Sequence, residues 1–403
     1  MTAQPVSSHI YVPRGFRFSA GVAGIKKAGR LDVALAEAVP GTTAAAVFTK
    51  NLVVAAPLLA DKIHLKKTRG AMRAVIVNAG NANCATGDDG FDRCRYVCEA
   101  VARHLTLLPR EVFPSSTGVI GVPLPQQKII DVVPQLVQSL DTSADALSQF
   151  SRAIMTTDTR QKTASTQFKT GKMTVTVTGV AKGAGMIHPN MATMLAYIFT
   201  DAGMNVRDLQ RALNHAVAGS FNSISVDGDT STNDTVLVMA SGAIANLRSS
   251  TEKSRFQEAL NAVCASLAEQ IVRDGEGARH VVRLHVEGAR SEDEARKIAN
   301  VIATSALVKT AFAGADPNWG RILAAVGRAG IALDPGRVDI FIGDVRVCHK
   351  GMGDAFHEPT VHGTMQEHAY DIRVNLGRGK ARTTLLTCDL TDQYVHINAD
   401  YRS

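Results

Sequence analysis

With 403 residues, 45% of them apolar and 20% charged, the chain has an ordinary globular composition and room for two or three domains, which excludes disordered and fibrous classes. The formal charge of +7 comes from 44 Lys and Arg against 37 Asp and Glu. That excess forms no basic run and only 5% of residues are aromatic, so a nucleic-acid partner is not expected; a basic pocket for a small acidic substrate is compatible with it.

In chain order, residues 74–77 read as a short buried strand ending in a Gly- and Asn-rich turn over 78–90. Residues 172–179 alternate strictly and are rich in Thr and Val, which predicts a strand. A 3.6-residue spacing of apolar side chains predicts helices over 206–217 and 252–272, and strands are expected at 235–238 and 281–286. Ser291-Glu292-Asp293-Glu294 has the form of a capping box and opens a helix expected to run to about residue 312. Alternation returns at 339–347 and 371–376, and Gly377-Arg378-Gly379 is expected to turn the second of these as a hairpin into a strand over 381–390. Strand and helix groups are interspersed without steady βαβ repetition, which favours a layered α+β architecture over a doubly wound sheet.

No stretch is suited to a bilayer helix. Residues 183–200 carry no charge but are broken by Gly183, Gly185, His188, Pro189 and Asn190. Residues 1–13 lack the basic start and apolar core of a signal peptide. Six cysteines at 84, 94, 98, 264, 348 and 388 form no Cys-x-x-Cys pair, and reduced, buried thiols in a cytoplasmic protein are expected. Three motifs fail on their chemistry. Gly377-Arg378-Gly379-Lys380 is followed by Ala381 where a phosphate loop needs Ser or Thr. The span from His357 to His362 is one residue too long for a metal-binding His pair, and Pro359 within it predicts a loop. Lys182-Gly183-Ala184-Gly185 lacks the third glycine of a dinucleotide loop. No metal site is expected.

The block from 180 to 203 is more informative. Glycines and Pro189 form a loop that leads through Ala192 into Thr193, after which residues 194–199 are apolar. Alone, such a threonine reads as a helix cap or strand start. It stands with other ordered marks: Asn-Ala-Gly-Asn-Ala-Asn at 78–83, Ser-Ser-Thr-Gly-Val-Ile-Gly at 115–121, Met-Thr-Thr-Asp-Thr at 155–159, Asp-Gly-Asp-Thr-Ser-Thr-Asn-Asp at 227–234, Asp-Gly-Glu-Gly-Ala at 274–278, Gly-Ala-Asp-Pro-Asn-Trp-Gly-Arg at 314–321, and the tail ending in Ser403. Together these resemble, over essentially the whole chain, the ornithine acetyltransferase family of arginine biosynthesis.

The resemblance implies a layered α/β/β/α-type sandwich of mixed sheets flanked by helices, related to N-terminal-nucleophile folds, with a smaller C-terminal α/β portion. It implies self-cleavage between Ala192 and Thr193, giving an α chain of residues 1–192 and a β chain of residues 193–403, interlocked and paired as an α2β2 heterotetramer. The new α-amine of Thr193, with a pKa near ~7.7–8.0, can then serve as base for its own hydroxyl. By the same resemblance Thr193 is the nucleophile, Thr117 and Gly118 form the oxyanion hole, and Thr156, Lys182, Thr193, Glu276, Asn398 and Ser403 bind substrate. Ser403 stands where the family usually ends in Thr. Taken singly, Thr117-Gly118 would be a turn, Lys182 a solvated loop lysine and Glu276 a surface residue. The implied activity is ping-pong transfer of acetyl from N2-acetylornithine to glutamate, together with N-acetylglutamate synthesis from acetyl-CoA as a co-substrate, with no resident cofactor. A monofunctional ornithine acetyltransferase, a self-cleaving β-aminopeptidase-like hydrolase and a non-catalytic binding protein stay open as alternatives.

Overall fold

Strands whose two faces are both apolar need a layer on each side, and the first half of the chain supplies several, such as Val33–Ala38 and Ala74–Asn81. The computed structural model describes residues 6–7, 9–26, 29–188 and 194–400. One sheet has four strands in the order Phe16–Gly21, Val33–Ala38, Ala74–Asn81, Val112–Val119, the last pair parallel. A second has five, in the order Thr43–Phe48, Thr235–Asn246, Leu195–Gly203, Met173–Lys182, Lys162–Thr170. Only Thr235–Asn246 and Leu195–Gly203 run parallel in it. Strands from beyond residue 193 thus lie between strands from before residue 192.

The two sheets stack face to face. Leu195, Tyr197 and Phe199 of one meet Phe16, Phe18, Val75, Val77 and Phe113 of the other, and the Phe18 and Phe199 rings pack edge to face at 4.9 Å. The period-2 alternation sends Ala196 and Ile198 the other way, against helices Val206–Ala218 and Ser250–Arg273. Val33, Leu35 and Ile76 likewise leave the first sheet for helices Gly87–Leu105 and Gln126–Gln138. The expected α/β/β/α layering is what these faces produce. A third, seven-stranded sheet with its own helices and core forms the C-terminal α/β portion.

Three local expectations are corrected. Gly377-Arg378-Gly379 does not join a hairpin. Ala369–Asn375 and Ala381–Cys388 each pair with Val281–Ala289, parallel and antiparallel respectively, so that strand lies between them. The helix opened by Ser291 ends at Ala303, and a second runs over Ala306–Ala313. At the break the Thr304 hydroxyl donates to the Asn300 carbonyl, the competing bond that disfavours Thr in helix interiors. The span after His357 is not a loop but the helix Glu358–Met365. Pro359 sits in its first turn, where no amide proton is needed, and Val361 and Met365 share its buried face. His362 points its Nδ1 to the Ala315 carbonyl at 2.9 Å. All six cysteines are buried and free, as expected.

Phe199 touches the rings of Phe16, Phe18 and Phe150 at the centre of the inter-sheet core. Phe199→Ala is expected to cost about 3–5 kcal/mol, read as a lower urea midpoint of unfolding at unchanged slope.

Candidate active site

The parallel strands Ala74–Asn81 and Val112–Val119 end side by side, and their ladder slips there: Thr117 lies opposite both Ala79 and Asn81. Gly118 takes φ +131°, and a Cβ on it would sit 2.3 Å from the Gly80 carbonyl carbon and 2.6 Å from the Asn81 nitrogen. Only glycine fits, because both the dihedral and the close backbone approach exclude a side chain. Thr117-Gly118 is therefore a distorted strand end at the mouth of a cleft, not the ordinary turn that the sequence alone suggests. The neighbouring Ser116 hydroxyl donates to Asn78 Oδ1 at 2.7 Å, and Asn78 Nδ2 donates to the Asn81 carbonyl at 2.9 Å, which braces both strand ends.

Lys182 closes the strand Met173–Lys182 and enters the same cleft with only 2% of its surface exposed. Its Nζ donates to Thr156 Oγ1 at 3.4 Å, and among the described residues it makes no ion pair. Burial pushes its amine below the ordinary lysine range, and the charge of Lys162 adds to this, whereas Asp158, Asp234 and Glu276 oppose it. The nearby charges are tied off among themselves. Lys162 Nζ bonds Asp158 Oδ1 at 2.6 Å and Asp274 Oδ2 at 2.5 Å, all three side chains being buried. Asp158 also accepts from the Gly183 amide at 2.6 Å and the Thr156 amide at 2.9 Å, so one carboxylate sets the backbone beside both Thr156 and Lys182. Burial pushes Asp158 up, but the charges of Lys162 and Lys182 and the Gly183 amide outweigh it, and the carboxyl titrates below the usual range.

The opposite wall comes from the C-terminal half. The Glu276 amide donates to the Ala184 carbonyl at 2.9 Å, and its carboxylate passes so close to Gly185 that a Cβ there would lie 2.3 Å from Oε2. Asn398 Nδ2, on the helix Asp392–Asp400, donates to that same Oε2 at 2.8 Å. Thr117, Gly118, Thr156, Lys182, Glu276 and Asn398 line this one cleft. Ala192, Thr193 and Ser403, also singled out from the sequence, lie outside the described residues.

Residues the sequence reading passed over complete the surroundings. Asn233 Nδ2 donates to the Ala82 carbonyl at 2.7 Å and the Ser116 carbonyl at 2.9 Å, fastening the 227–234 loop to the Thr117 strand end. Asp234 Oδ1 accepts from the Met194 amide at 2.9 Å. Burial drives Asp234 well above the carboxylate range, against the Met194 amide and the charge of Lys182. The motif at 227–234 was visible in the sequence, but nothing in it marked which polar side chains turn inward. Asp158 stood in the motif at 155–159, but Lys162 carried no signal, and its pairing with Asp274 depends on a fold-back of the chain.

A lysine amine with no ion pair among the described residues and a carboxylate on facing walls, beside a distorted strand end, suit a small molecule bearing both an amine and a carboxylate. The layered fold and this cleft are those of an enzyme. The ArgJ family model matches residues 17–403. The arginine biosynthesis bifunctional protein ArgJ of Methylococcus capsulatus is 49% identical, over 96% of this chain and 95% of that protein. Its counterpart from Geobacter sulfurreducens is 46% identical, over 97% and 99%. Among solved structures, the ArgJ protein of Bacillus halodurans is 41% identical over 51% of this chain and 98% of that one, with a TM-score of 0.49. The Mycobacterium tuberculosis ornithine acetyltransferase, complexed with ornithine, is 37% identical over 47% and 98%, with a TM-score of 0.43. This chain belongs to the ArgJ family.

Removing Lys162 leaves two buried carboxylates facing each other. Lys162→Met is expected to cost about 3–5 kcal/mol of stability. Because the folded-state pKa of Asp158 is depressed, its contribution is present above about pH 3.9 and is lost as pH falls through the lower folded value. The stability gap between wild type and Lys162→Met, read from urea midpoints, should therefore narrow as pH falls, because the variant has no such contribution to lose.

Proposed function

We propose that this chain cleaves itself between Ala192 and Thr193 and then moves acetyl from N2-acetylornithine to glutamate, using acetyl-CoA as a second donor to make N-acetylglutamate. It is an ArgJ-family acyltransferase of arginine biosynthesis. The observation that carries the reading is the likeness, over nearly full length, to bifunctional ArgJ proteins at 44–49% identity. The convergence of the six described candidate residues on one cleft supports it.

In the cleavage step Thr193 Oγ attacks the Ala192 carbonyl. The Ala192–Thr193 amide breaks as an ester to Oγ forms, and water opens the ester, freeing the Thr193 α-amine. In the transfer step that amine takes the hydroxyl proton while Oγ attacks the acetyl carbonyl of acetylornithine. Donors at Thr117 and Gly118 receive the developing oxyanion, the kind of stabilisation whose loss costs ~10²–10³ in rate elsewhere. The acetyl C–N bond breaks, the proton passes to the departing ornithine nitrogen, and Thr193 holds the acetyl group as an ester. The glutamate amine then attacks that ester and regenerates the enzyme. Lys182 receives the amino-acid carboxylate, Glu276 its amine, and Thr156, Asn398 and Ser403 complete the substrate contacts. The mechanism uses no metal or resident cofactor. No helix among the described residues is long and apolar enough to cross a membrane; a cytoplasmic α2β2 assembly of the two cleavage products completes the proposal.

On a denaturing gel the wild type should run as two bands of roughly half the 42.8 kDa mass, and Thr193→Ala as one band without transferase activity. A wild type that stays whole and still transfers acetyl would overturn the mechanism. Free amino acids released from peptides without transfer to glutamate would point to a hydrolase. Gly118→Ala, which cannot keep the strand end, should lower kcat by about 10²-fold or more. Glutamate acetylation from acetyl-CoA no faster than background would remove the second donor from the proposal.

A further inference from the structure

The residues flanking the proposed cleavage point are gripped in matching ways by the 226–235 stretch. Upstream, the Ile187 amide donates to Asp227 Oδ1 at 2.9 Å and its carbonyl accepts from the Val226 amide at 2.8 Å. The Met186 amide adds a bond to Asp227 Oδ2 at 2.5 Å, and the Tyr394 hydroxyl reaches the same oxygen at 3.2 Å. Downstream, the Met194 amide donates to Asp234 Oδ1 at 2.9 Å, and its carbonyl accepts from the Thr235 amide at 3.1 Å. Between the two aspartates, Asn233 bonds the Ala82 and Ser116 carbonyls, so the stretch is referenced to the strand end bearing Thr117 and Gly118.

We propose that Asp234 is a positioning residue for the reacting threonine: through the Met194 amide it sets how residue 193 approaches Thr117 and Gly118, while Asp227 holds the upstream end. This rests on Thr193 being the nucleophile. Residue 193 is bonded directly to the Met194 nitrogen, and with that amide and the Met194 carbonyl both held, the Met194 end of the bond cannot swing. Self-cleavage and acyl transfer share one need, an oxygen within ~3–3.5 Å of a carbonyl carbon, and a misplacement of about 1 Å can cost ~10²-fold in rate. Met186, at φ +56°, enters the segment in a conformation that side chains rarely adopt, and its amide is one of three that Asp227 holds, with those of Ile187 and Asp229. A buried carboxyl group at position 234 is costly unless its bonds offset the loss of water; the Met194 amide supplies one such bond, with the Thr49 and Ser231 hydroxyls beside it.

The test compares self-cleavage on gels, kcat per titrated active site, and melting temperature in wild type, Asp234→Ala and Asp234→Asn. Asp234→Ala should cleave at least about tenfold more slowly and lose kcat in similar measure, with KM for acetylornithine changed less than about threefold. Asp234→Asn keeps an oxygen for the Met194 amide and should recover both rates to within about threefold. A merely structural residue would lower yield and melting temperature while kcat per titrated site stayed at the wild-type value. Asp227→Asn sets an NH2 group against at least one of these three amides and should slow self-cleavage about tenfold; it carries the test if Asp234→Ala does not fold. Wild-type cleavage and kcat in folded Asp234→Ala, or wild-type cleavage in Asp227→Asn, overturns the proposal. An uncleaved wild type removes Thr193 as the nucleophile, and this role of Asp234 with it.

Discussion

The parallel pairing of Leu195–Gly203 with Thr235–Asn246 is the constraint on which the site depends. Two parallel neighbours cannot be joined by a tight turn, so the chain must cross over, and it does so through the helix Val206–Ala218 and the loop before Thr235. Parallel strands also begin at the same end. The register sets Leu195 beside Thr235, and Met194 therefore meets Asp234 as a consequence of sheet geometry. The other sheet brings its own parallel pair, Ala74–Asn81 and Val112–Val119, to a common end. Asn233 ties these two ends together. The cleft is where two parallel pairs in stacked sheets face each other, one starting and one finishing.

Electrostatics then decides which groups stay available. Isolated buried ions cost several kcal/mol each, so the aspartates near the cleft must find partners or stay protonated. Asp158 and Asp274 take the first course around Lys162, and burial pushes Asp234 towards the second. Lys182 is left as the buried cation of the cleft without an ion pair among the described residues. Its burial costs less because the charges of Asp158 and Glu276 lie near it without forming an ion pair. Such a group gains most from an anion entering the cleft, and in the proposed function that anion is the substrate carboxylate.

The elements legible in the sequence were those whose pattern matched their burial. The Thr/Val alternation at 172–179 became Met173–Lys182, and the capping serine Ser291 does accept from the Glu294 amide. Other elements left weaker traces. Lys162–Thr170 is a mostly polar edge strand; its Ser165 hydroxyl bonds Thr178 across the sheet and its Thr170 hydroxyl bonds Glu252 on the helix Ser250–Arg273. Thr43–Phe48 carries small residues that suit close packing but give little periodic signal. The hairpin expected at 377–379 failed because local turn chemistry cannot report that a strand from a hundred residues earlier fills the space between.

The sequence by itself determined the class of fold and the buried thiols, and the family resemblance carried by its ordered motifs supplied the candidate residues Thr117, Gly118, Thr156, Lys182, Glu276 and Asn398. These are legible because unusual backbone and polar residues inside apolar surroundings must be specified residue by residue. Which of them meet, and what holds them, only the tertiary structure decided. Lys162 bridges two aspartates that are 116 positions apart, and the grip of Asp234 on Met194 spans 40. Pairings of that range come from strand order and layer stacking, which no local pattern encodes.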